Sequence, residues 1–171
     1  NDNREVKRIF ESSLSARLGG VAVTFASLKP HVDPNQIQAM VEFSANGFGQ
    51  LMQNRLLVAS PGAIVPGNDY ILSERTRVHP LKIRARSRRN TVRLKIPAGF
   101  APDEIPEPVR VSAQYGSYEA NWAVKDGEMI FEQSVRYRDL TVPAADYQKV
   151  KSFFDEFAGA QSSAVVLMRK N

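Results

Sequence analysis

A chain of 171 residues that is 43% hydrophobic and 24% charged has enough apolar material for one globular core, and it is not a disordered polymer. It has no cysteine, which removes disulfides, zinc–thiolate centres and thiolate nucleophiles together. The net charge of +5 is unevenly placed: Arg75 to Lys95 holds nine Lys or Arg and no acid, while the remainder is nearly balanced.

The opening NDNREVKRIF is polar and shows no hydrophobic signal core, and no apolar run approaches the ~18 residues of a membrane span. Residues 3–18 have helical periodicity through Val6, Ile9, Phe10, Leu14 and Leu18, with Asn3 as N-cap and Gly19-Gly20 as a left-handed stop. VAVTFASL predicts a strand, HVDPN a turn set by Pro34 and Asn35, and IQAMVEF a second strand. SANGFGQLMQ reads as a loop and NRLLVAS as another strand. Pro61 to Tyr70, with two prolines and two glycines, reads as a loop at a subdomain seam or a long crossover.

In LKIRARSRRNTVRLKIP two strand-like pieces are expected. Leu81, Ile83 and Ala85 face one way and Lys82, Arg84 and Arg86 the other; Val92, Leu94 and Ile96 then alternate with Arg93 and Lys95. AGFAPDEIPEP is excluded as a central strand by Pro102, Pro106 and Pro108, and reads as a rigid extended connection. VRVSA, SYEANWAVK and EMIFEQSVRYR follow as strands. Gly116 marks the first turn, and Asp126-Gly127 has the two-residue hairpin signature. A helix over 143–158 starts at Pro143 and stops at Gly159, with Tyr147, Val150, Phe153, Phe154 and Phe157 on its buried face. SAVVLMRK closes the chain as a short strand. Six to nine strands and two helices predict a mainly β, α+β fold: an antiparallel β-sandwich with an N-terminal and a C-terminal helix. Residues 1–70 form a helix-plus-strands lead-in packed into the same domain, and 71–171 the sandwich portion.

Candidate chemistry is sparse. His31 and His79 each adjoin a proline in turn-like surroundings without a second ligand at metal spacing. Ser117 has the place of a hairpin-turn residue. Asp103, Glu104 and Glu107 lie in a proline-rich connector, and Asp155 and Glu156 on the solvent side of a helix. GNDY and KDGE lack the alternating oxygen ligands of a calcium loop. Tyr118, Ala120 and Trp122 share one strand face, which is a core pattern more than a ligand cage. A free-standing hydrolase would need His79 brought near Ser60 or Asp69.

The feature with functional content is the basic segment. Lys82, Arg84 and Arg86, with Arg88 and Arg89 beyond, are expected to form a cationic ridge able to bind an anionic polymer or headgroup, or to guard a strand edge. The segment has no aromatic residue for base stacking, which disfavours nucleic acid.

The ordered series LKIPAGF, IPEPVRV, GSYEANW, DGEMIFEQSVRY, VPAADYQKVKSFFDEF and AVVL, spanning roughly residues 90–168, resembles the C-terminal domain of bacterial transglutaminase-like multidomain proteins. Residues 1–80 match more loosely. The resemblance implies a non-catalytic β-sandwich module packed beside a papain-like transglutaminase core, which it positions or caps, in a periplasmic or extracellular setting. It implies no catalytic residue, metal or cofactor here, because the Cys, His and Asp signature of that core is absent from the chain. The alternative from the residues themselves is an anion-binding module using Arg75–Lys95. Oligomeric state is left open.

Overall fold

A computed structural model describes residues 3–33 and 35–170. The fold is α+β and mainly β, with antiparallel sheets in a β-sandwich arrangement and a helix near each end of the chain. Chain contacts divide it into two compact units, residues 1–50 and 51–171.

In the first unit, helix α1 (Asn3–Ser15) is followed by strands β1 (Val21–Pro30) and β2 (Ile37–Ala45), which pair antiparallel. Val6, Leu14 and Leu18 are buried as the periodicity predicts, together with Val23 and Ala26 of β1. Ile9 is 55% exposed, so it lies at the margin of the expected stripe. The expected cap at Asn3 and the bend at Pro34 lie outside the described side chains and residues. The turn is instead seen through Asp33, whose carboxylate accepts from Asn35 N–H at 3.0 Å and Gln36 Nε2 at 2.9 Å.

The second unit holds two four-stranded sheets, all of whose residues but Gln50 lie within it. One has the order β6 (Arg86–Lys95), β10 (Glu128–Tyr137), β9 (Gly116–Lys125), β8 (Val109–Ala113). The other has the order β3 (Gln50–Met52), β4 (Leu56–Ala59), β12 (Val165–Arg169), β7 (Phe100–Glu104). Strands β5 (Leu81–Ile83) and β11 (Leu140–Val142) form a separate pair. Among the described residues this makes twelve strands where six to nine are expected. The surplus is β3, β7 and β11, segments of three to five residues, too short for alternation to reveal.

The β9–β10 hairpin turns at Asp126-Gly127, both at positive φ (53° and 76°), as a two-residue loop requires. Alternation along β10 is complete. Met129, Phe131, Gln133, Val135 and Tyr137 are buried, and the residues between them are half-buried or exposed. Register aligns Val92, Phe131 and Trp122 in one rank across three strands of this inner face, with the Trp122 and Phe131 rings 5.3 Å apart.

A short 3-10 turn (Ala144–Asp146) leads into helix α2 (Tyr147–Gln161). Its five predicted core residues are all buried, and Tyr118 stacks on Phe157 with ring centroids 4.2 Å apart. At ~1.5–3 kcal/mol per large apolar side chain, this face is a main source of the unit's stability.

Two boundaries differ from expectation. Gly159 does not end α2, which runs on to Gln161. Ala160 and Gln161 are buried, and tertiary contacts at Gln161 outweigh the propensity cost of one glycine. The proline-bearing stretch after Gly99 is not merely a connection. Residues 100–104 form β7, an edge strand on β12, whose register shifts beside Pro102. Proline is tolerated there because an edge strand has one unpaired side.

Candidate functional site

The inner face of the β6–β10 pair is polar at one end. Register places Arg86 opposite Tyr137, Arg88 opposite Val135 and Asn90 opposite Gln133. Over this end runs the segment 61–70, expected only as a loop. It begins with a 3-10 turn (Pro61–Ala63) in which Pro61 and Gly62 are buried, and Ile64 and Val65 just after it are buried too. Gly62 is required by contact: a Cβ there would lie 2.0 Å from the Gln161 carbonyl oxygen of α2.

Side-chain amides then hold the strap. Gln161 Nε2 donates to Gly62 O at 3.2 Å and to Pro66 O at 3.1 Å. Gln133 Nε2 donates to Asn90 Oδ1 at 3.1 Å and reaches Pro66 O at 3.5 Å. Arg88 donates to Gly67 O and, at 2.9 Å, to Asp69. Arg86 reaches the other Asp69 oxygen at 3.3 Å. Asn68 Oδ1 accepts from Tyr70 N–H at 2.8 Å, and the Tyr70 ring stacks on Phe154 at 5.0 Å. One strand face, one loop and the end of α2 thus close on each other through buried amides, two guanidinium groups and one carboxylate.

This assembly divides the basic residues singled out above. Arg88 turns inward, its side chain only 15% exposed, and Arg86 shares its face and its acidic partner. Arg89 lies on the opposite face of β6, exposed. Lys82 in β5 and Arg84 after it are exposed, and Arg84 N–H donates to the Tyr70 hydroxyl at 2.8 Å. The five are therefore spread over β5, the break after it and both faces of β6. Alternation could not show this, because the break between β5 and β6 falls at residues 84 and 85.

The candidate histidines, serines and carboxylates are exposed or engaged locally. His31 is exposed and accepts Asp33 N–H at Nδ1, 3.2 Å away, within its turn. His79 is exposed, and its carbonyl takes a bond from Arg77 Nε at 3.4 Å. Ser60 donates to Ser162 O at 3.1 Å, and Asp69 is held by its two arginines. Ser117 sits in β9 rather than in the turn, which is Gln114-Tyr115. Asp103, Glu104, Glu107 and Glu156 are exposed, and Asp155 pairs with Lys151 at 2.7 Å. Among the described residues no three His, Asp or Glu converge as a metal site, and no helix is long and apolar enough to cross a membrane.

Two surface grooves, of about 410 and 250 Å³, are open. Ile96, Pro97, Phe100 and Val124 line the first with Lys170; Thr76, Arg77, Tyr147 and Gln148 line the second. Neither is lined by a histidine, serine or carboxylate.

Two core tyrosines have raised pKa values, and at the surface the Asp146 carboxylate beside Lys149 raises that ammonium as well. Burial pushes the Tyr118 hydroxyl well above the usual phenol range. Burial likewise pushes Tyr137 up to about 12, opposed in part by the Asp69 backbone N–H at its oxygen and by the charge of Arg88. Tyr118 OH, Trp122 Nε1 and Gln133 Oε1 are buried without a hydrogen-bond partner, a feature nothing in the sequence pattern signals.

Fold and site together define an aromatic-cored β-sandwich module in which buried polar groups fasten a strap to the scaffold. Residues 57–167 match the family described as "Domain of Unknown Function with solved-structure structure (DUF3858)", and the chain belongs to that family. No curated protein and no solved structure matches it.

Proposed function

We propose that this chain is a non-catalytic accessory module that positions or caps a transglutaminase-like core lying elsewhere in a parent polypeptide. The supporting observation is that the motif series resembling such C-terminal domains falls almost wholly inside the family match at 57–167. Those motifs build the β6–β10–β9–β8 sheet and the α2 face packed on it. The buried polar side chains are used to fasten segment 61–70 (Gln133, Gln161) or lie within the aromatic core (Tyr118, Trp122), so the module's contribution is shape and rigidity. The lead-in 1–70 and the sandwich portion 71–171 act as one module in this reading. A bacterial, extracytoplasmic setting follows from the same resemblance.

The test is amine incorporation into a glutamine peptide by the parent protein, with and without this module. Reduced turnover or faster thermal inactivation on deletion is expected, with the isolated chain inert. An initiator methionine encoded immediately before Asn1, with no Cys–His–Asp core upstream, contradicts the proposal.

The second reading is an anion surface over Arg75–Lys95, favoured by the exposure of Lys82, Arg84 and Arg89. Binding through six to ten phosphates would fall by about 10³–10⁵ between 50 and 200 mM salt. Absence of binding to DNA, RNA and heparin at low salt removes this reading.

A further inference from the structure

Strand β6 ends its sheet and, among the described residues, pairs on one side only, with β10. The register runs without a shift from Arg86 opposite Tyr137 to Lys95 opposite Glu128. Alternate residues of an end strand direct their N–H and C=O groups away from the sheet, as an open template for another strand. Edges of this kind are commonly blunted by proline, by a bulge or by being short. β6 has no proline and no bulge, and at ten residues it is as long as any strand described.

Charge is the remaining device, and it is selective. β6 carries Arg86, Arg88, Arg89, Arg93 and Lys95 and no acid. Arg88 is committed to Asp69 and Gly67. Arg93 lies 3.5 Å from Glu128 but is 62% exposed, Arg86 is 65% exposed, and Arg89 and Lys95 are exposed. Like charges directly opposite each other destabilise a strand pair, so the β6 edges of two copies repel. The same cations favour a strand carrying carboxylates. β7 of a second copy is acidic and lies at an edge, but Pro102 in its middle removes a ladder donor.

We propose that the free edge of β6 accepts an extended acidic segment of a partner polypeptide as an added strand. Main-chain bonds would give affinity and the alternating cations would give selectivity. A peptide fits better than a nucleic acid, because the edge offers main-chain donors and acceptors at two-residue intervals and β6 has no aromatic residue to stack on a base. This proposal needs no catalytic neighbour and stands apart from the reading above.

The test uses the full chain and a synthetic peptide of β6's length that alternates glutamate with threonine. Anisotropy titration is expected to show binding, and amide hydrogen exchange to slow at alternate residues of β6. The same peptide N-methylated along one backbone edge keeps its charge and is expected not to bind. Arg89→Glu with Lys95→Glu, both at exposed positions, is expected to weaken binding by about tenfold or more. Equal binding of the methylated peptide, equal binding of a lysine–threonine peptide, unchanged exchange in β6, or binding of a DNA oligonucleotide in place of the peptide each overturns the proposal.

Discussion

Phe154 is 1% exposed and touches three rings: Tyr70 at 5.0 Å, Phe153 at 5.1 Å and Tyr137 at 5.7 Å. Its truncation to alanine removes packing from α2, the strap and β10 at once. Phe154→Ala is expected to cost about 3–5 kcal/mol in a denaturant melt, and a loss under about 1 kcal/mol would deny that the ring anchors the helix. Tyr118 is the opposite case. Its ring packs on Phe157, but its hydroxyl is buried with no partner. Tyr118→Phe keeps the stack and relieves the desolvated hydroxyl, so stability should be unchanged or rise by about 1 kcal/mol. Both buried tyrosines have folded pKa values above the unfolded value, so the native state holds its protons more tightly. Their contribution is therefore complete below the unfolded phenol pKa near 10 and is lost as pH rises toward 12. Alkaline melts should show this fall, and Tyr118→Phe should make it shallower.

At the scale of elements, the sequence is informative where periodicity is long. The ten-residue alternation of β10, the Asp-Gly hairpin and the five-residue apolar face of α2 are all visible from side-chain type alone. Segment 61–70 is not. Its prolines and glycines announce a loop, but the fastening comes from Gln133 and Gln161, which read as ordinary polar residues until the fold brings them to Pro66 O. For the same reason the length of α2 is misjudged: Gln161 is held from outside the helix. The inward turn of Arg88 is hidden too, because two residues of irregular chain separate β5 from β6 and reset the alternation. Two substitutions test the strap. Gln161→Leu leaves Gly62 O without its amide donor and should cost about 1–3 kcal/mol. Gly62→Ala sets a methyl against the Gln161 carbonyl and should cost about 3 kcal/mol or unfold the segment. Amide exchange localised to 61–70 distinguishes release of the strap from global unfolding.

For the whole molecule, the fold class was legible because strands, turns and aromatic residues agree on one architecture, whereas the role was not, because scaffold residues carry no reactive signature. The reading of residues 1–70 and 71–171 as one module predicts a single cooperative thermal transition; two calorimetric transitions would separate the unit 1–50 from the rest. Function in this account belongs to surfaces and to a neighbouring domain. The measurement closest to that claim is amine incorporation into a glutamine peptide by three samples: the parent polypeptide, the parent lacking residues 57–167, and the present chain alone. The account predicts activity in the first, a clear loss in the second, and none in the third. Turnover by the chain alone, or an unchanged rate without residues 57–167, would contradict it.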